Sequence, residues 1–272
     1  MTSTISRCTP LGAITLSFVV ISLHDDHELS ATIDSINKAF SKADPFFSKR
    51  VRIIEVVSVV TGEVALNYEP FIVEAQRISG QDSSLYDAMN IGVRASSKLG
   101  SSHVVFLNSG ALFHPLLSIP DLFGVLGSNP ASIVTLAAEE VICTRNNQSR
   151  HHIIRPLSIG SGELPRRMPS CHQSIIYPVE ALVRYPFLAS EKLLASDYLN
   201  LLCLLRSGFA CTSSPLLFCL YYNNGLSSQY FEQSIRQRCL AYALVSGRPA
   251  TALFSYVYFL LRHLAARAIY IR

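Results

Sequence analysis

The side chains able to do chemistry fall into a few clusters. His24, Asp25, Asp26, His27 and Glu28 are consecutive and all of metal-binding type. Consecutive residues on a turn seldom converge on one ion, whereas acids are common where a helix starts, and Asp25 or Asp26 suits that cap. Asp87 and Asn90, in "LYDAMN", sit on the first turns of a helical stretch. A carboxylate there can meet a ligand or cap the helix. His172, in "CHQ", precedes an apolar stretch and can either contact a phosphate or an acceptor, or pack at a sheet edge. Asp197, in "ASDY", lies beside an apolar stripe through Leu194 and Leu201 and should be partly buried, as a proton acceptor or as a helix-surface acid at a core edge. Arg145, Arg150, Arg155, Arg166 and Arg167 cluster in one polar stretch, where they can neutralise a bound anion or face solvent.

Positioning these groups falls to an alternation of strands and helices. Residues 13–23 are continuously apolar and read as a buried strand, followed by Leu29, Ile33, Ile36 and Phe40 at helical spacing. Strands are expected over 51–60, 69–78, 103–107 and 132–137, and helices over 85–99 and 116–126. Such alternation predicts an α/β fold with a parallel, doubly wound sheet and right-handed crossovers. Ligands on such sheets bind beyond the carboxyl ends of the strands, so the loops after Leu23, Val60 and Leu107 point at a site. Beyond about residue 140 the pattern changes. Residues 143–162 read as a polar loop, 174–177 as a strand, 191–207 as a helix striped with Leu194, Tyr198, Leu201 and Leu205, and 209–222 as a strand. Two helical stretches, 229–245 and 250–271, are separated by Gly247, Arg248 and Pro249.

Composition bounds the function. Apolar residues make up 49% of the 272 and charged ones 15%, which supports a sizeable core and argues against global disorder. A net charge of +4 is too mild to mark a nucleic-acid binder, and no zinc-finger or RNA-binding spacing is present. It does suit anionic small ligands or an anionic membrane face. Seven cysteines, an odd number without a CxxC pair, point to a reducing cytoplasm, in which the sequon at Asn147 is a chance occurrence. The apolar runs 11–23 and 250–261 are too short to span a bilayer. The last stretch carries Arg262, His263, Arg267 and Arg272, which suits an interfacial helix on an anionic membrane as well as a helix packed on the domain.

Several segments, in order, resemble the family 2 glycosyltransferases of bacterial polysaccharide synthesis, in the branch with colanic-acid-type and capsule-type members. These are "ITLSFVVISLHDDHELSATIDSI", "DSSLYDAMNIGV", "FLNSGALF", "MPSCHQSIIYPVEAL", "ASDYLNLLCLLRSGF" and "NNGLSS", covering roughly residues 14–228. The resemblance implies a GT-A fold: a Rossmann-like, mostly parallel sheet flanked by helices. A nucleotide half would lie at about 13–140, an acceptor half at about 141–228 and a helical extension, suited to a membrane surface, at 229–272. It implies a nucleotide-sugar donor, a glycan or lipid-linked acceptor, and inverting transfer on the cytoplasmic face in surface polysaccharide assembly. Asp197 matches the family's base, with His172 beside the chemistry and Ser58, Asp87, Asn90 and Asn108 on the nucleotide-sugar side. The family usually holds Mg²⁺ or Mn²⁺ on an acidic motif at the end of the fourth strand. Here Asn108, Gly110 and Ala111 stand at its acidic places, and Ser58 stands near the nucleotide-contacting aspartate. Those departures make a non-catalytic relative, serving as a binding or scaffold subunit, the rival expectation.

Overall fold

A computed structural model of the chain describes residues 14–24, 27–59, 74–79, 82–143, 149–222 and 229–270, with side chains described as far as residue 261. Asp25, Asp26, Arg145, Arg272 and residues 223–228 therefore lie outside the described residues, as do the side chains of Arg262, His263 and Arg267.

Strand β1 (Leu16–His24) is apolar on both faces because it runs through the middle of the sheet. It pairs in parallel with β2 (Val51–Val59) on one side and with β4 (His103–Asn108) on the other, and β2 pairs in parallel with β3 (Glu74–Ser79). Helix α1 (His27–Ser41) buries Leu29, Ile33, Ile36 and Phe40 against one face of this half. The short α2 (Pro45–Ser48) is capped by Asp44 and leads into β2. Helix α3 (Leu85–Lys98) covers the other face. It sits close to β1: a Cβ added at Gly92 would stand 2.3 Å from Val19 Cγ1, so only glycine fits there.

The remaining strands are β5 (Leu112–Phe113), β6 (Ile133–Cys143), β7 (Ser149–Ile154), β8 (Ile175–Pro178) and β9 (Cys211–Tyr222). The sheet order is β3-β2-β1-β4-β8-β6-β9-β5, with β7 hydrogen-bonded to β6. Here the sheet is mixed rather than parallel throughout. Strand β8 is antiparallel to both β4 and β6, β5 is antiparallel to β9, and β6 with β9 is parallel. The reason is topological, since a parallel neighbour needs a crossover and β8 enters from a loop instead. Helices α4 (Ile119–Ser128), α5 (Val179–Arg184) and α6 (Ser196–Arg206) pack around this half. Helices α7 (Phe231–Ser246) and α8 (Pro249–Tyr270) follow. Gly247, with φ at 68°, ends α7 in the left-handed conformation, so the expected break is a helix C-cap.

Two expectations need correcting. Part of the 143–162 stretch is not loop: β7 forms a hairpin with β6, pairing Ser149 to Ile154 with Cys143 to Ala138. Helix α6 begins at Ser196 rather than 191, and Leu194 is therefore not on it. The Leu194 backbone N–H instead donates to Gln237 Oε1 of α7 at 2.7 Å, and Lys192 O accepts from Gln237 Nε2 at 2.7 Å.

Candidate active site

The carboxyl end of β4, the turn before β8 and the first turn of α6 meet at one place. Asn108 ends β4, and its backbone N–H donates to Gln173 Oε1 at 3.1 Å. His172 and Gln173 belong to a 3₁₀ turn (His172–Ser174) leading into β8. Asn108 Nδ2 lies 3.4 Å from His172 Nε2, a contact that suits an amide donating to a neutral imidazole. Burial lowers the proton affinity of His172. The Asp197 charge opposes that shift and the Arg238 charge reinforces it. Asn108 Oδ1 is buried without a hydrogen-bond partner.

Asp197 opens α6 and is 7% exposed. Its Oδ1 accepts from the Tyr86 hydroxyl at 3.2 Å and from the Tyr198 backbone N–H at 2.8 Å. Oδ2 has no hydrogen bond among the described residues, so one carboxylate oxygen is held and the other is available. The helix start stabilises the anion. Burial and the Asp197 charge push the Tyr86 hydroxyl far above its usual range, so Tyr86 remains a donor at every pH of interest.

Gly110 and Ala111, expected to stand at the acidic places of a metal-binding motif, offer no side-chain ligand. Ala111 is 2% exposed and its methyl lies in the hydrophobic core with Phe113 and Leu122. Gly110 has φ at 85°, and a Cβ there would come 3.4 Å from Glu28 Oε2. Among the described residues no cluster of three His, Cys, Asp or Glu side chains could hold a metal ion. The described residues of this strand end thus lack the several convergent oxygens that a hard cation needs.

The other expected residues are distributed more widely. Ser58, near the end of β2, donates to Asp82 Oδ2 at 2.6 Å, and Asp82 Oδ1 is buried without a partner. A carboxylate thus does stand at the β2 end, supplied from the segment before α3. Asp87 accepts from the backbone N–H and hydroxyl of Ser83 at 3.0 and 3.1 Å, as a capping residue does. Asn90 donates to Phe187 O and accepts from Phe187 N, both at 2.9 Å, tying α3 to the segment after α5. So Asn108, His172 and Asp197 come together, whereas Ser58, Asp87 and Asn90 do not join them.

Arg238 is the group that sequence reasoning missed. It lies on the face of α7 that also carries Ile235, Ala241 and Tyr242, all buried. Tyr242 and Ala241 pack with Tyr198 and Leu202 of α6. The guanidinium acts electrostatically on both Tyr86 and His172, and its Nε is buried without a hydrogen-bond partner. The available signal was its i+3 spacing between Ile235 and Ala241, which places a cation in an apolar stripe. Of the arginines expected to meet an anion, Arg155, Arg166 and Arg167 line cavities elsewhere, and Arg150 is exposed on β7.

No family model matches the chain, and neither does any curated protein. Solved structures share its fold. The S. aureus TarS 1-349 structure in complex with UDP-GlcNAc is 11% identical, with a TM-score of 0.62 over 93% of this chain and 73% of that one. The longer S. aureus TarS structure has a TM-score of 0.60 at 12% identity, and this chain spans 43% of it. The mannosyltransferase PcManGT from Pyrobaculum calidifontis, in complex with GDP-Man and Mn²⁺, gives 0.53 at 13% identity over 92% of this chain and 75% of that one. At such identities the likeness is one of fold: the chain has the GT-A architecture of these glycosyltransferases, a curled mixed sheet flanked by helices.

Proposed function

We propose that the chain is an inverting family 2 glycosyltransferase. It would move a sugar from a nucleotide donor to a hydroxyl of a glycan or lipid-linked acceptor, in surface polysaccharide assembly at the cytoplasmic face of a membrane. The observation that carries this reading is Asp197, a nearly buried carboxylate with Oδ1 fixed by Tyr86 and Tyr198 and Oδ2 open, set beside Asn108 and His172 at a strand's carboxyl end. The fold shared with transferases solved with UDP-GlcNAc and GDP-Man supports it. The donor half is taken as residues 13–140, the acceptor half as 141–228 and the helical extension as 229–272.

In this mechanism Asp197 Oδ2 takes the proton from the acceptor hydroxyl. The acceptor oxygen bonds to the anomeric carbon as the bond from that carbon to the diphosphate oxygen breaks. The nucleoside diphosphate leaves with the electron pair. Arg238 and the amide of Asn108 would meet its growing charge. Ser58, with its partner Asp82, would lie on the nucleotide side.

The second reading, a non-catalytic GT-A relative acting as a binding or scaffold subunit, is favoured by Ala111 in the core and Gly110 beside Glu28. Calorimetry with UDP and GDP, in Mn²⁺ and then in chelator, separates the two. Binding in chelator, followed by donor turnover that Asp197→Asn removes, supports the transferase. Failure to bind any nucleoside diphosphate supports the second reading.

A further inference from the structure

Gln173 stands between the cluster and the sheet with half of its amide in use. It is 6% exposed, on the 3₁₀ turn between His172 and Ser174. Its Oε1 accepts from the backbone N–H of Asn108, the last residue of β4, at 3.1 Å. Only the oxygen of a side-chain amide can accept from an N–H, so this bond fixes which way the amide points. Nε2 therefore lies on the far side of the amide carbon, turned away from the strand. It makes no hydrogen bond among the described residues, and it is not one of the polar atoms sealed from solvent. Two donors thus remain unused on a side chain that is otherwise buried.

The turn that carries them is pinned on several sides. Ser170 Oγ donates to Leu136 O at 2.5 Å and Ser174 Oγ to Ala137 O at 3.5 Å, both on β6. Ser174 Oγ also lies 3.1 Å from Cys219 Sγ of β9, and the Ser174 backbone N–H donates to Cys171 O at 2.9 Å. The rotamer freedom of Gln173 is lost before any ligand arrives, so its donors meet a ligand without a further ordering cost. The surroundings name the ligand. Arg238 acts electrostatically on His172, the residue next to Gln173. Neutral donors beside a cation select an anionic oxygen. Asp197 acts on His172 as well. Displacement with inversion keeps the base and the leaving group on opposite faces of the reacting carbon, so the Asp197 charge does not exclude an anion on Gln173.

We propose that Gln173 is a donor-binding residue: Nε2 donates to an oxygen of the sugar nucleotide's diphosphate, while Oε1 holds the end of β4. The inference rests on the transferase reading and deepens it, by adding a fixed neutral donor for the leaving group. Because the cluster also holds the proposed base, the phosphate within reach is the one bonded to the sugar. A nucleoside monophosphate lacks that phosphate, so Gln173 favours a diphosphate over a monophosphate. The competing role is purely structural, with Gln173 as a pin for the last N–H of β4.

Calorimetry in chelator compares UDP with UMP, and GDP with GMP, for the full chain and two variants. Gln173→Glu keeps an oxygen for the Asn108 N–H and removes both donors. Gln173→Met is neutral, which separates the loss of donors from an added charge. Each variant should lose roughly 10-fold or more of the preference for diphosphate over monophosphate, as the loss of a hydrogen bond to a charged oxygen implies. Monophosphate affinity should stay within about twofold. An unchanged preference in Gln173→Met overturns the proposal and leaves the structural pin. An equal loss for monophosphate and diphosphate, with a lower melting temperature, overturns it in the same direction.

A second measurement needs no nucleotide. The side-chain amide signals of Gln173, identified in nitrogen–proton correlation spectra by their absence in Gln173→Met, are followed as inorganic pyrophosphate is added in chelator. They are expected to move. Movement without UDP or GDP binding would remove the transferase reading and keep the anion contact. Nucleoside diphosphate binding that leaves these signals in place would keep the transferase and remove Gln173 from its site. Unmoved signals with no nucleotide binding would remove both.

Discussion

The end of β4 and the start of α6 face the same small cluster yet have been shaped in opposite ways. At β4 the places that could hold an ion are Gly110, in a left-handed turn against Glu28, and Ala111, sealed in the core. At α6 the carboxylate of Asp197 is kept, buried to 7% exposure and bonded on one oxygen. A buried carboxylate is costly to maintain without a purpose, whereas an alanine in a core is not. The contrast is between a carboxylate held ready on one oxygen and a strand end whose side chains offer no ligand. Positive charge reaches the cluster instead from a helix, through Arg238.

The comparison can be broken most sharply at Asp197. Asp197→Asn should lower sugar transfer by roughly 10²–10⁴-fold, the usual share of a general base, while UDP or GDP affinity in calorimetry stays within about twofold. Loss of both together would make Asp197 a structural anchor. Restoring a carboxylate on the other side should fail. Ala111→Asp places a charge among Phe113, Ile119 and Leu122, and should destabilise the fold by about 3–5 kcal/mol in denaturant titration without creating Mn²⁺ binding. Tight Mn²⁺ binding by that variant would mean the strand end is an ion site lacking one ligand.

Arg238→Gln tests the substitute cation. The affinity for a nucleoside diphosphate relative to its monophosphate should fall roughly 10-fold or more in chelator, with Arg238→Lys recovering part of it. An unchanged ratio would leave Arg238 as a packing residue of α7. The effect furthest from the cluster lies at the other end of β4. His103 begins β4 fully buried, and burial lowers its pKa to about 4, against an ordinary value near 6.5. The unfolded chain therefore binds this proton first as pH falls, so stability rises with pH between about 4 and 6.5 and is lost on acidification. Going from pH 7 to pH 5 should cost up to about 2 kcal/mol through this group, and His103→Gln should flatten that part of the unfolding profile.

The parts legible in the sequence are those whose pattern is local. Strands β1, β2 and β4 are rich in β-branched and other apolar residues, and α3 combines helical periodicity with a serine cap at Ser84. Strand β7, "SRHHII", was not legible because it is an exposed edge strand whose residues are nearly all in contact with water. It is a strand only because β6 offers it a hairpin partner. Helix α6 was read too long because the apolar period continues into Leu193 and Leu194, where tertiary bonds to Gln237 take the backbone instead. In the site, Asp197 and His172 could be found by matching short motifs. Asp82 and Arg238 could not, since what makes them candidates is a neighbour 24 residues away at Ser58 in one case and a helix–helix contact in the other.

Gly92 carries a consequence for the whole cluster. Because it lets α3 lie against Val19, the helix is indexed to the central strand, and the same helix grips the other half twice, through Tyr86 to Asp197 and through Asn90 to Phe187. Helix α3 is in effect a spacer bar: one end of the gap is cut into the sheet, the other into Asp197. The separation between the central strand and that carboxylate is thus set by a glycine remote from both hydrogen bonds, and a single added methyl at that position would change the gauge.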